Sequence, residues 1–249
     1  MILDDIITKK QLEIAAMPDI DEALLAFSNR DFLGAIRRAK GHAVIAELKA
    51  RSPSEGVICA DYDPVAIAKQ YQEGGAACIS VLTDASFFGG SFEHLKQVHQ
   101  VVSIPLLCKE FILDIKQIKM ARLAGASACL LIVRILTDAQ LHALYHAILR
   151  WNMTPLVEVF DLPDCERAVR LGAQLVGINN RNLDTLAMDA NNSQRLNSLF
   201  PAGTTVLSLS GAKTPEDIKL SCQQFGGVLV GAALMRSEDR VDFLQQISF

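Results

Sequence analysis

The stretch Val44–Val57, "VIAELKARSPSEGV", decides how the rest of the chain is read. It opens on an apolar run of strand length, and that run ends in a glutamate and a lysine two residues apart. Successive side chains of a strand alternate between its faces, so Glu47 and Lys49 point one way and Leu48 the other. Ser-Pro-Ser and Gly56 then break the strand. Asp63-Pro64 follows, an N-cap with proline at the first helical position, and opens the helical pattern "DPVAIAKQYQEGG".

The same unit recurs down the chain. Further strand candidates are "CISVLT", "IPLLCK", "ACLLIV", "TPLVEVF", "LVGIN", "TTVLSL" and "GVLVG", each followed by an amphipathic segment. Thr137-Asp138 and Thr214-Pro215 supply helix starts, and Gly74, Gly125 and Gly172 stand where helices should stop. Strands that are apolar on both faces belong to a parallel sheet covered by helices. Eight regular strand–helix units, with no GxGxxG after the first strand, favour a closed (β/α)8 TIM barrel over an open doubly wound sheet. Ahead of the first strand, "LDDIITKKQLEIAAM" and "NRDFLGAIRRAK" read as helices, with Ile6, Ile7, Leu12 and Ile14 on one stripe and Phe32, Leu33 and Ile36 on the other. The 249 residues therefore read as one domain, with residues 1–40 a helical extension and 41–249 the barrel.

Half of the residues are hydrophobic and the net charge is −4. No basic stripe suggests nucleic acid, and no apolar run is long enough for a bilayer. Asp4 and Asp5 fall where a signal peptide needs positive charge, so the cytoplasm is the expected location. The six cysteines show no CxxC or Cys/His spacing and are expected to be reduced and structural. The histidines read as surface or packing residues, and no metal site is expected.

Catalytic groups of such a barrel come from the C-terminal ends of the strands. Glu47 and Lys49 end the first strand, Lys109 and Phe111 the third, Glu158 and Phe160 the fifth, and Asn179, Arg181 and Leu183 the sixth, each set sharing parity. Two lysines, an arginine and two glutamates thus converge on one mouth. After strands seven and eight, "SGAKTPED" and "VGAALM" place Ser210, Gly211, Gly231 and Ala232 where backbone amides commonly hold a phosphate.

"VIAELKARSPSEGVI", "SVLTDASFFGGS", "PLLCKEFILD", "ARLAGASACLLI", "LVEVFD", "GINNRNL" and "VGAALMR" together resemble the indole-3-glycerol-phosphate synthase family from about Asp31 onward. The resemblance implies ring closure, decarboxylation and dehydration of 1-(2-carboxyphenylamino)-1-deoxyribulose 5-phosphate, without a cofactor, by a carboxy-lyase of tryptophan biosynthesis. It implies Lys109 as general acid, Lys49 as a helper in loss of water, Glu47 and Glu158 as acid–base carboxylates, and Asn179 and Arg181 as substrate-binding. It further implies Ser52, Gly211, Gly231 and Ala232 around the phosphate, and Phe88, Phe111, Leu130 and Leu183 around the aromatic ring. A phosphorylated small molecule is the expected partner, with no nucleic acid, no membrane and a monomeric chain.

The chain departs from that pattern where the family has "SESG" and this sequence has "SLSG", so Leu209 replaces a substrate-contacting glutamate. Phe160 stands where His or Asn is usual, and Ala232 where serine is common. Read as three polar groups lost from the mouth, these changes leave a second expectation open. It is a diverged paralogue that acts on another sugar phosphate, or binds one with little or no turnover.

Overall fold

The computed structural model describes residues 2–25, 30–39 and 42–247. Among them, eight parallel strands close into a barrel: β1 (Val44–Leu48), β2 (Cys78–Leu82), β3 (Leu106–Lys109), β4 (Ala128–Ile132), β5 (Thr154–Val159), β6 (Leu175–Asn179), β7 (Thr205–Leu209) and β8 (Gly227–Val230). Each strand neighbours the next in sequence, and β1 meets β8 through Val44 and Val228. The protein is therefore a (β/α)8 TIM barrel, as the strand–helix alternation predicts.

Alternation sorts the side chains into two cores. Ile45, Cys78, Leu107, Leu130, Leu156, Leu175, Leu207 and Leu229 fill the barrel interior. Leu48, Ile79, Val81, Cys108, Leu131 and Val157 face the helices outside it. Complete burial of one such aliphatic side chain contributes roughly 1.5–3 kcal/mol, so the two layers hold the register of every strand. Helix starts are those the sequence marks: Asp63, Thr137 and Thr214 each accept a hydrogen bond from the first turn of their helix. Gly172 ends its helix at φ 75°, a left-handed conformation that glycine adopts without a steric penalty.

Among the described residues, two α-helices precede the barrel and cover its opposite ends. In α1 (Ile2–Ala16), Leu3 and Ile6 pack onto the interior cluster at the mouth. In α2 (Phe32–Arg38), Phe32 and Ile36 plug the other end, where Phe32 meets Cys78 at the start of β2. The expected boundary between residues 40 and 41 lies outside the described residues. Among the described residues, no helix is long and apolar enough to cross a membrane.

Three local features differ from the sequence reading. Strand β5 stops at Val159, so Phe160 leaves the barrel alternation and does not share the inward face of Glu158. Arg51–Ser52 and Gly56–Val57 pair as a small antiparallel ribbon after β1, which only tertiary pairing reveals. A five-residue helix, Ala232–Arg236, follows β8 directly.

Lysine 10 ties α1 to the barrel. It is buried, with its Nζ 2.6 Å from Glu13 Oε2, 2.9 Å from Asp84 Oδ2 and 3.0 Å from Glu110 Oε1. Burial alone would lower its pKa, but Glu110, Glu13 and Asp84 together hold it above the ordinary lysine value. The carboxylates are engaged in turn. Asp84 accepts from the amides of Phe87 and Phe88, and Glu110 from the amide of Phe111 and the hydroxyl of Thr83. Removing one member of a buried ionic cluster leaves its partners uncompensated. Lys10→Met should therefore destabilise the protein by about 3–5 kcal/mol in urea unfolding, and a loss below ~1 kcal/mol would show that α1 is held by its apolar face alone.

Candidate active site

The mouth of the barrel opens into one pocket, roofed by Ile2, Leu3 and Ile6 of α1 and by the Ser52–Glu55 turn of the ribbon. All sixteen residues singled out from the sequence as catalytic, substrate-binding or phosphate-binding line it. They arrive from separate strand ends: apart from Leu130, one inward position below Ile132, each is the last inward position of its strand or lies in the loop beyond.

Two ammonium–carboxylate pairs form its polar wall. Lys49 Nζ lies 3.1 Å from Glu47 Oε1, and Lys109 Nζ lies 3.2 Å from Glu158 Oε2. The second oxygen of Glu158 accepts a 2.9 Å hydrogen bond from Asn179 Nδ2. Asn179 Oδ1 accepts from the backbone amide of Arg181, and Arg181 Nη1 donates to the carbonyl of Leu186. This chain of contacts fixes the loop after β6. Desolvation acts to lower the pKa of Lys109, but the charges of Glu158 and then Glu47 outweigh it, and the result lies above the ordinary lysine value. Lys109 is therefore an ammonium at neutral pH, able to donate a proton and not to accept one.

The opposite wall is apolar. Phe88 and Phe111, with ring centroids 6.0 Å apart, stand with Leu130, Ile132, Leu183 and Leu209 around a space that fits an aromatic ring. Beyond the lysines the backbone turns after β7 and β8. Ser210 and Gly211 both have positive φ, at 66° and 103°, and expose backbone beside Ala212, Gly231 and Ala232. Space is tight at Gly231: a Cβ there would lie 2.5 Å from Glu47 Oε1 and 3.2 Å from Lys49 Nζ, so the Glu47 carboxylate would have to move.

The three departures from the family pattern have unequal consequences. Leu209 lines the pocket, buried, and fills the volume left by Gly177, whose Cβ would lie 2.6 Å from a Leu209 methyl. Ala232 also lines it. Phe160 does not: its ring lies 5.4 Å from the guanidinium carbon of Arg134, which itself bridges Asp161 and Asp184 at 2.5 Å each. The expectation that Phe160 removes a polar group from the mouth is corrected, because the chain has already left the strand there.

Several residues of the site were missed by sequence reasoning. Ile2, Leu3 and Ile6 reach the pocket only because Lys10 docks α1. Lys10 itself had a usable signal, a charge four residues after Ile6 on the apolar stripe. Glu110 had another, being a charge of opposite parity to Lys109 that must find a buried partner. Glu55 belongs to a loop tip, whose direction no periodicity encodes.

Largely buried lysine–glutamate pairs beside glycine-rich turns at the C-terminal end of a (β/α)8 barrel have the make-up of an enzyme site suited to acid–base chemistry on an anionic ligand. A family model for indole-3-glycerol phosphate synthase matches residues 3–247. The protein of that name from Rippkaea orientalis is 48% identical over 219 residues, covering 84% of this chain and 74% of its own. Those from Listeria monocytogenes and Polaromonas are each 44% identical, covering 94% and 96% of this chain and 93% and 94% of theirs. The chain belongs to the indole-3-glycerol phosphate synthase family, carboxy-lyases of tryptophan biosynthesis. Among solved structures, 3-hexulose-6-phosphate synthase aligns with TM-score 0.64 at 14% identity over 82% of this chain and 97% of its own. Thiamine phosphate pyrophosphorylase from Pyrococcus furiosus aligns with 0.62 at 13% over 84% and 95%, and both likenesses concern the fold.

Gly231→Ala should push the Glu47 carboxylate off Lys49. A misplacement near 1 Å costs about a hundredfold in rate, so kcat/KM should fall by that order while the urea midpoint changes little. Unaltered kinetics would mean that the Glu47–Lys49 geometry is not used.

Proposed function

We propose that the pocket residues carry the synthase reaction as follows, converting 1-(2-carboxyphenylamino)-1-deoxyribulose 5-phosphate to indole-3-glycerol phosphate, carbon dioxide and water. The observation that carries this reading is the ammonium of Lys109, held by Glu158 and Glu47 beside an apolar slot. The substrate's aromatic amine pushes electrons to the ring carbon that bears the carboxylate, and that carbon attacks the sugar ketone. Lys109 gives its proton to the ketone oxygen as the carbon–carbon bond forms. Loss of carbon dioxide returns the electron pair to the ring. Lys49 then protonates the new hydroxyl, which leaves as water. One of the carboxylates, Glu47 or Glu158, takes up the proton released from the carbon beside the nitrogen and passes it to a lysine; the other lysine is reprotonated from solvent, because decarboxylation consumes one proton overall.

The rest of the pocket binds. Phe88, Phe111, Leu130, Leu183 and Leu209 enclose the ring and exclude water, which strengthens each charge contact within. Asn179 orients Glu158, and Arg181 faces the anionic groups. Ser52, Ser210, Gly211, Gly231 and Ala232 receive the phosphate. Backbone donors suffice there, so Ala232 in place of serine is a mild change. Because Phe160 points away from the pocket and the set Glu47, Lys49, Lys109, Glu158, Asn179 and Arg181 is whole, the synthase reading is preferred to a diverged paralogue.

Lys109→Ala should lower kcat by ~10³-fold or more, followed through the fluorescence of the indole product. The alkaline limb of kcat/KM that Lys109 governs should lie above the ordinary lysine value of 10.5. Glu158→Gln removes the largest attracting charge and should move that limb to lower pH. A limb that stays in place in the variant would remove Lys109 from the role of acid.

A further inference from the structure

The cations of the pocket do not all hold their counter-ions in the same way. Lys49 and Lys109 are paired with carboxylates on strands, Glu47 and Glu158, whose backbones are locked in the barrel. Arg181 is paired with Glu55, which lies at the tip of the ribbon after β1. Glu55 Oε1 is 3.6 Å from Arg181 Nη2, and Glu55 Oε2 is 2.6 Å from Arg236 Nη2. One carboxylate thus spans two guanidiniums, Arg181 from the loop after β6 and Arg236 from the helix after β8. Arg236 lines the groove that continues from Gly211, Ala212 and Ala232, and Glu55 lines both that groove and the main pocket.

The ribbon that carries Glu55 is held to the barrel at its base, and among the described residues the backbone of its tip is tied only within the ribbon, where the Glu55 amide donates to the Ser52 carbonyl at 3.4 Å. Arg51 Nη2 donates to the carbonyls of Ala85 and Ser86, at 3.1 and 2.9 Å, and fixes the entry. Gly56, directly after Glu55, has φ 67° and open space where a side chain would stand, so nothing packs over the turn on that side. Arg236 is half exposed, and a pair in such a setting is weak enough to be exchanged for a better anion. A phosphate offers a guanidinium more charge and a bidentate geometry than this carboxylate does.

We propose that Arg236 is a second guanidinium of the phosphate subsite and that Glu55 is its resident counter-ion, displaced when the phosphorylated ligand enters. The ligand class rests on the synthase reading, but the competition itself does not. Glu55 sets the apparent affinity of the site: the fraction of molecules in which it holds both arginines is unavailable to the incoming phosphate.

Calorimetric titration of the whole protein with inorganic phosphate tests this without turnover. Glu55→Gln should tighten phosphate binding by about fivefold, and Arg236→Gln should weaken it by about tenfold. In the double variant the gain from Glu55→Gln should shrink, because Glu55 acts largely through Arg236. With the carboxyphenylamino substrate, the change in Glu55→Gln should appear as a lower KM more than as a changed kcat. Phosphate affinity unmoved or weakened by Glu55→Gln, or indifferent to Arg236→Gln, overturns the proposal even if turnover is intact. The expected phosphate shifts in a protein that makes no indole product would uphold it and remove the synthase reading instead.

Discussion

Two ammonium–carboxylate pairs stand at the mouth of this barrel, and burial makes each member depend on the other. In water a lysine and a glutamate 3 Å apart attract weakly. In a pocket largely closed to solvent the same attraction is screened less and counts for more. Glu158 and Glu47 are buried, and Lys49 and Lys109 are largely so. Taking Glu158 away would leave Lys109 with the more distant Glu47 and little solvent in exchange for its direct partner.

That dependence explains why a helix outside the barrel matters. With α1 absent, the roof made by Ile2, Leu3 and Ile6 would open and water would reach the lysines. The docking of α1 is itself ionic at its centre, through Lys10, Asp84 and Glu110. Asp84 and Glu110 hold the backbone amides of Phe88 and Phe111, the two rings of the apolar wall. One buried lysine therefore joins the roof, the wall and the strand end that carries Lys109.

Much of this was legible in the residues because a parallel barrel imposes a simple rule. Apolar runs of strand length, followed by capped helices, predict the closed sheet, and parity predicts that Glu47 with Lys49, and Asn179 with Arg181, look into one space. Past a strand end the rule holds only where the loop keeps the strand's course. Lys49, one residue past Leu48, still lines the pocket, whereas Phe160, one residue past Val159, lies against the Arg134 guanidinium instead. It fails again for long-range pairs. Nothing local links Lys10 to Glu110 or Glu55 to Arg236, because each contact exists only after distant segments are brought together.

Leu209 shows how a lost acid can be accommodated. A glutamate at that position would add a third carboxylate near Glu47 and Glu158, and the pocket would need a further cation or water to hold it. Leucine asks for neither. It fills the space beside Gly177, extends the apolar wall from Leu130 and Leu183, and leaves two lysines facing two glutamates. The lower polarity on that side strengthens the field of the remaining charges on whatever lies between them. In the proposed reaction such a site leaves the proton transfers to Lys109 and Lys49, and both lysines are positioned by carboxylates anchored on strands rather than on loops.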